Sequence, residues 1–237
     1  MTRHQMTRNQ IHSILLSAFA LAAALGAPNP APAQGAKQPH ATMAPLEQYL
    51  MDRDAEIALA RSAAPESISR DAEVLVLGRR GFETAVKGKN GFVCTVERSW
   101  TSAPDPDFWN PKVRVPMCLN AGAAHSFLLR NLKRTNLILA GRNKVQVDEA
   151  IAAAVDKKEL PPMEIGAMCY MMSKQGYAGD SVEHWPSHVM FFYSQIEPAA
   201  WGAGLPGSPV LAASDNQEHL TMFAIGVQRW SDGSENR

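Results

Sequence analysis

The first sustained pattern along the chain is an apolar run. From Ile14 to Ala27 almost every side chain is apolar; Arg3 and Arg8 precede it with no acid nearby, and "PNPAPAQGA" follows, with Ala31 and Ala33 as small residues. Basic, apolar and small-residue regions in that order predict a secretory signal peptide over residues 1–33, cleaved after Ala33. The run falls short of the roughly 20 residues that span a bilayer. The mature chain is therefore expected to be exported, periplasmic or secreted, with no membrane span. Residues 34–44 are polar and aperiodic and read as a mobile leader, which leaves residues 45–237 as a single domain.

Within that domain the period alternates between helix and strand. "PLEQYLMDRDAEIALARSAA" places Leu46, Tyr49, Leu50, Ile57 and Leu59 at helical spacing. "AEVLVLG" is a short buried strand, and "GFETAVKGKNGFVCTVERSW" reads as a hairpin, with strands at 82–86 and 92–98 around the turn signal Asn90-Gly91. Cys94 shares a face with Phe92 and Val96 and is placed inward. "TSAPDPDFWNPKVRVP" has four prolines and no period, which predicts a loop whose Phe108 and Trp109 pack it as a flap. Two helices follow, in "AAHSFLLRNLKRTNLILAG" and "VDEAIAAAVDKKEL". "MEIGAMCYMMSK" is apolar on both faces and reads as a central strand. "SHVMFFYSQ" and "HLTMFAIGVQRWSDG" are further strands, and "LPGSPVLAASDN" is turn-rich. Runs of strands with separate helices predict an α+β fold, a mainly antiparallel sheet with three or so helices packed on it.

Charge narrows the partners. The chain has 23 basic and 23 acidic side chains, and signal cleavage removes two arginines and no acid. Nothing resembles a basic footprint, so nucleic acid is excluded as an expected partner. Export places Cys94, Cys118 and Cys169 in an oxidising compartment, where one disulfide can form in any of three pairings or all three can remain small buried hydrophobes.

The sharpest candidate chemistry is the His184/His188 pair. Pro186 and the β-formers after it argue against a helix, and in a strand residues four apart lie roughly 13 Å from each other. Two imidazoles on one zinc each need a bond of about 2.0–2.1 Å, so the pair is not read as a chelate. "DPDFWN" gathers Asp105, Asp107 and Asn110 but lacks the glycine and terminal glutamate of an EF-hand loop, and is read as a proline turn with solvated acids. No metal or other cofactor is expected. Ser208 is followed by Pro209, which removes a backbone N–H, and is read as a turn residue. Catalytic candidates are Cys94, as a thiol nucleophile, with His125 or His188 as its base; His219 is a further candidate base. The tryptophans sit at strand ends and in loops, and Trp100, Trp109 and Trp185 are the candidate walls of a ligand cleft at one end of the sheet. Four methionines between Met163 and Met172 would suit an adaptable cavity.

"NGFVCTVERSW", "AMCYMMSKQGY" and "HVMFF" resemble segments of exported bacterial proteins without an assigned activity. The resemblance implies an exported bacterial origin and transfers no catalytic residue. Together these readings predict an exported α+β protein that binds a small molecule or a protein partner through the tryptophan-lined loop end of its sheet. The enzyme alternative is a hydrolase with a Cys or Ser nucleophile and a histidine base.

Overall fold

The computed structural model describes residues 40–102 and 107–236. The signal peptide, residues 34–39 of the leader and Asp105 lie outside the described residues.

Among the described residues eight strands form one sheet: β1 (Glu73–Gly78), β2 (Gly81–Val86), β3 (Val93–Glu97), β4 (Val115–Leu119), β5 (Met168–Met171), β6 (His188–Ser194), β7 (Val210–Asp215) and β8 (Leu220–Gly226). Their order is β2-β1-β3-β4-β5-β6-β8-β7, and every neighbouring pair is antiparallel except β1 and β3, which run parallel. The helices are α1 (Arg53–Arg61), α2 (Glu66–Ser69), α3 (Ser99–Ser102), α4 (Ala121–Ala124), α5 (Phe127–Leu139) and α6 (Lys144–Asp156). The fold is α+β, as the pattern predicts.

Three local rules explain where the helices begin. Asp52 caps α1 by accepting the amides of Asp54 and Ala55, so the helix begins at Arg53 rather than at Pro45, and Leu46–Gln48 forms only a 3-10 turn. Asn143 and Gln146 close a capping box on α6. Gly141, at φ 81°, ends α5 in the left-handed conformation that glycine adopts without steric cost.

Side-chain alternation along the strands sends successive residues to opposite faces. Val74, Val76, Cys94, Val96 and Cys118 pack with Leu59 and Ala60 of α1 on one face. Leu75, Leu119, Cys169 and Phe192 pack with Phe127 and Leu128 of α5 on the other, where the Phe127 and Phe192 rings stack at 4.0 Å. A third cluster joins Tyr49, Leu77, Trp100 and Phe108 to Ile138 and the α6 residues Val147 and Ile151. Glu56 and Arg98 form a fully buried ion pair at 2.9 Å between α1 and the end of β3, and the Glu56 carboxylate also accepts the amide of Leu77.

Three expectations are corrected. The predicted hairpin of residues 82–98 does not form: β1 lies between its two strands and pairs with both. The strand "EVLVLG" is apolar on both faces, so burial favours a central place for it. The Lys87–Gly91 connection then crosses its end, with Lys89 N donating to Asp71 O and Asn90 Nδ2 to Ile68 O. Gly88 lies so close that a Cβ there would stand 2.3 Å from the Glu73 amide nitrogen. Second, the predicted loop of residues 101–116 gives way at Val115 to β4, a wholly buried central strand. Pro116 hid it, because proline cannot donate to a ladder and usually marks an edge. Third, the turn-rich segment after Leu205 contains β7, the edge strand beside β8.

Candidate functional site

Two regions of the molecule bring chemistry-bearing residues together. The first is an open groove of about 500 Å³ on the α5 face, between α5 and the β1–β2 ribbon. Leu128 and Leu132, one turn apart on α5, face Leu75 of β1 and Phe82 of β2 across it. Gly88 and Gly91 line its end without side chains to fill it. Its polar groups lie at the rim: Glu73 accepts the Thr84 hydroxyl at 2.8 Å, and exposed His125, which caps the end of α4, points Nδ1 at Glu164 across 3.6 Å. An apolar floor, a few polar groups at the edge and a volume in the range of about 300–1,000 Å³ are the properties of a small-molecule site.

The second region is the loop between β5 and β6, residues 172–187. It crosses the end of β4, where Arg114 and Tyr177 exchange two backbone hydrogen bonds at 2.9 and 2.8 Å. Gly176 and Gly179 allow the close approach, since a Cβ would lie 3.0 Å from Pro116 Cδ at the first and 2.6 Å from Asp107 Oδ2 at the second. Tyr177, His184, Trp185 and His188 surround a crevice of about 20 Å³. That is room for about one water. His184 Nδ1 donates to the Gly176 carbonyl at 2.8 Å, and its Nε2 is buried without a partner. His188 Nδ1 donates to the Pro186 carbonyl at 2.7 Å, and burial pushes its imidazole below the ordinary histidine range, so it is neutral at pH 7.

Beside this crevice, Asp107 and Asn110 are buried, which corrects the reading of "DPDFWN" as a turn with solvated acids. Asn110 Nδ2 donates to Asp107 at 2.8 Å. Tyr177 donates its hydroxyl to Asp180, and His40 reaches the other oxygen of the same carboxylate at 3.0 Å. The Tyr177 and His40 hydrogen bonds pull the Asp180 carboxyl down to about 2, and the shared proton holds the Tyr177 phenol up at about 12.

The sequence candidates divide between these regions and the core. Cys94 faces Cys118 across β3 and β4 and the two form a disulfide, so Cys94 is no thiol nucleophile. Cys169 is the free cysteine, and burial pushes its thiol far above the ordinary range, leaving it inert. His125 sits at the groove and His188 at the crevice. His219 bonds Gln195 and Asp156 through its two nitrogens at 3.0 and 3.1 Å. Among the described residues no histidine hydrogen-bonds a serine, threonine or cysteine side chain, and Ser208 lies in a turn, its amide donating to Leu205. Trp100 is buried and donates to Thr135 Oγ1 at 3.0 Å; Trp109 packs in the same cluster, whereas Trp185 packs against the other side of the core. The three predicted tryptophans therefore wall no common cleft. Trp201 covers the sheet, stacked on Phe223 at 4.5 Å.

Sequence reasoning missed His40 and Asp180, which are 140 positions apart. The one local signal was the pair of glycines in "QGYAGD", which announced a close backbone approach without naming its partner. No family model, curated protein or solved structure matches the chain.

Proposed function

We propose that this is an exported binding protein that takes a small amphipathic molecule in the groove between α5 and the β1–β2 ribbon. One observation carries the reading: an open, ligand-sized groove of about 500 Å³ that sets Leu75, Phe82, Leu128 and Leu132 beside Glu73, Thr84 and His125. The tryptophan-flanked crevice, at about 20 Å³, is far smaller than any metabolite. The apolar body of the ligand lies over Leu75, Phe82, Leu128 and Leu132. Glu73 lines the groove, and Glu164 lies behind it, 3.6 Å from the lining residue His125; the two carboxylates favour a cationic head group. The N-terminal signal pattern and the Cys94–Cys118 disulfide support export, since disulfides persist in oxidising compartments. Among the described residues no helix is long and apolar enough to cross a membrane.

Calorimetric titration with octylamine and octanoate tests this. Octylamine is expected to bind at one equivalent and more tightly than octanoate. Thr84→Trp places an indole over the groove from an exposed strand position and should weaken binding at least tenfold. Absence of binding by both probes, or equal affinity in Thr84→Trp and wild type, would refute the reading.

A further inference from the structure

We infer that His40, Asp107 and Asp180 form a binding site for one borderline divalent cation of the Zn²⁺ class, separate from the groove. The three residues come from the segment before the first helical turn, the flap before β4 and the β5–β6 loop. One imidazole nitrogen and one oxygen from each carboxylate lie within 4.8 Å of one another. Rotation of the half-buried His40 and exposed Asp180 side chains closes that spread onto bonds of about 2.0–2.2 Å to a shared ion. One nitrogen with two carboxylates suits zinc or manganese better than calcium, which takes oxygen ligands.

The burial of Asp107 points to a cation independently of this convergence. The residue is 2 % exposed. No lysine, arginine or histidine among the described residues forms an ion pair with it. Its hydrogen-bond donors are neutral: Asn110 Nδ2 at 2.8 Å to Oδ1, and Ser181 Oγ at a long 3.4 Å to Oδ2. A buried carboxylate is ordinarily paired with a cation or bound to a metal. Here Oδ2 is the poorly satisfied oxygen, and the missing Cβ of Gly179 lets it sit 2.6 Å from where that atom would be. Asn110 and Tyr177 hold the two carboxylates through their remaining oxygens.

The His40 imidazole takes the metal through the Nε2 lone pair as the Nδ1–H tautomer; from the Nε2–H tautomer the proton moves to Nδ1 through solvent, with no net release. Three protein ligands leave a fourth position for water. The ion would also fasten the segment at His40, seven residues after the predicted cleavage point, to the body of the protein.

The test is a calorimetric titration of the EDTA-treated full chain with ZnCl₂. Wild type should bind one equivalent, and His40→Ala, Asp107→Asn and Asp180→Asn should each lose at least tenfold in affinity. His219→Ala, whose imidazole pairs with Asp156 elsewhere, and Thr84→Trp in the groove should bind as wild type. Circular dichroism of each variant reports folding; if Asp107→Asn does not fold, His40→Ala and Asp180→Asn at accessible positions decide alone. No binding by wild type, or undiminished binding in those two variants, overturns the site and leaves the groove untouched.

Discussion

Glu97 closes β3 with none of its surface exposed, and neither of its carboxyl oxygens forms a well-shaped hydrogen bond, although Thr101 and Asn131 lie close enough to favour its ionised form. Thr95 Oγ1, Ser99 Oγ and Asn131 Nδ2 are buried nearby in the sequence or on the facing helix, and equally without partners. Burial is the dominant influence and pushes the Glu97 carboxyl above the ordinary range, against the favourable pull of Thr101, Asn131, Arg98 and Arg134. An acid whose folded value is raised holds its proton in the native state after the unfolded chain has released it. Stability therefore falls as pH rises through and beyond the ordinary glutamate range. Glu97→Gln keeps the shape and removes the ionisation. Urea denaturation at pH 8 should show the variant more stable by about 1–3 kcal/mol, with the gap closing at pH 5. A constant gap, or one that widens at pH 5, would show that Glu97 is ionised in the folded protein. The inward placement of Cys94 was legible at this scale because strand alternation is local. The burial of Glu97 and Asp107 was not, since their covers come from remote segments.

At the scale of elements, the period-two and helical patterns located the strands at β1, β2, β3, β5, β6 and β8 and the two long helices. They did not determine pairing. The turn signal at Asn90-Gly91 was genuine chemistry put to another use: Asn90 Oδ1 accepts the Phe92 amide at 3.1 Å, but the turn bridges over β1 and makes no hairpin. β4 was obscured by Pro116 and β7 by the glycines and prolines before it. The Cys94–Cys118 bridge joins β3 and β4 across 24 positions of sequence. Closing a loop of that length is worth about 3 kcal/mol through restriction of the unfolded chain. Cys94→Ser/Cys118→Ser is accordingly expected to lose about that much in denaturant titrations. Thiol labelling of native wild type should give no adduct, and one adduct, at Cys169, after unfolding without reductant. Three adducts under those conditions would show that the bridge is absent.

At the scale of the molecule, the crevice at the loop end and the groove share no lining residue, although both rest on one core cluster, which holds Val115, Met171 and Ala178 of the first and Leu75 and Leu128 of the second. The α+β class was legible because strands and helices occur in separate runs. The groove was not, because it lies between α5 and the β1–β2 ribbon, whose pairing the pattern misassigned. The predicted cleavage is checked by intact mass of the protein recovered from an expressing bacterium: an N-terminus at Gln34 is expected, and a full-length species confined to the cytoplasm would contradict export. The groove itself is tested most directly by methyl NMR. On adding octylamine to one equivalent, the methyl signals of Leu75, Leu128 and Leu132 should shift together and saturate, while those of Met171 at the crevice stay in place. Shifts confined to the crevice, or no saturable shift at the three leucines, would contradict the account.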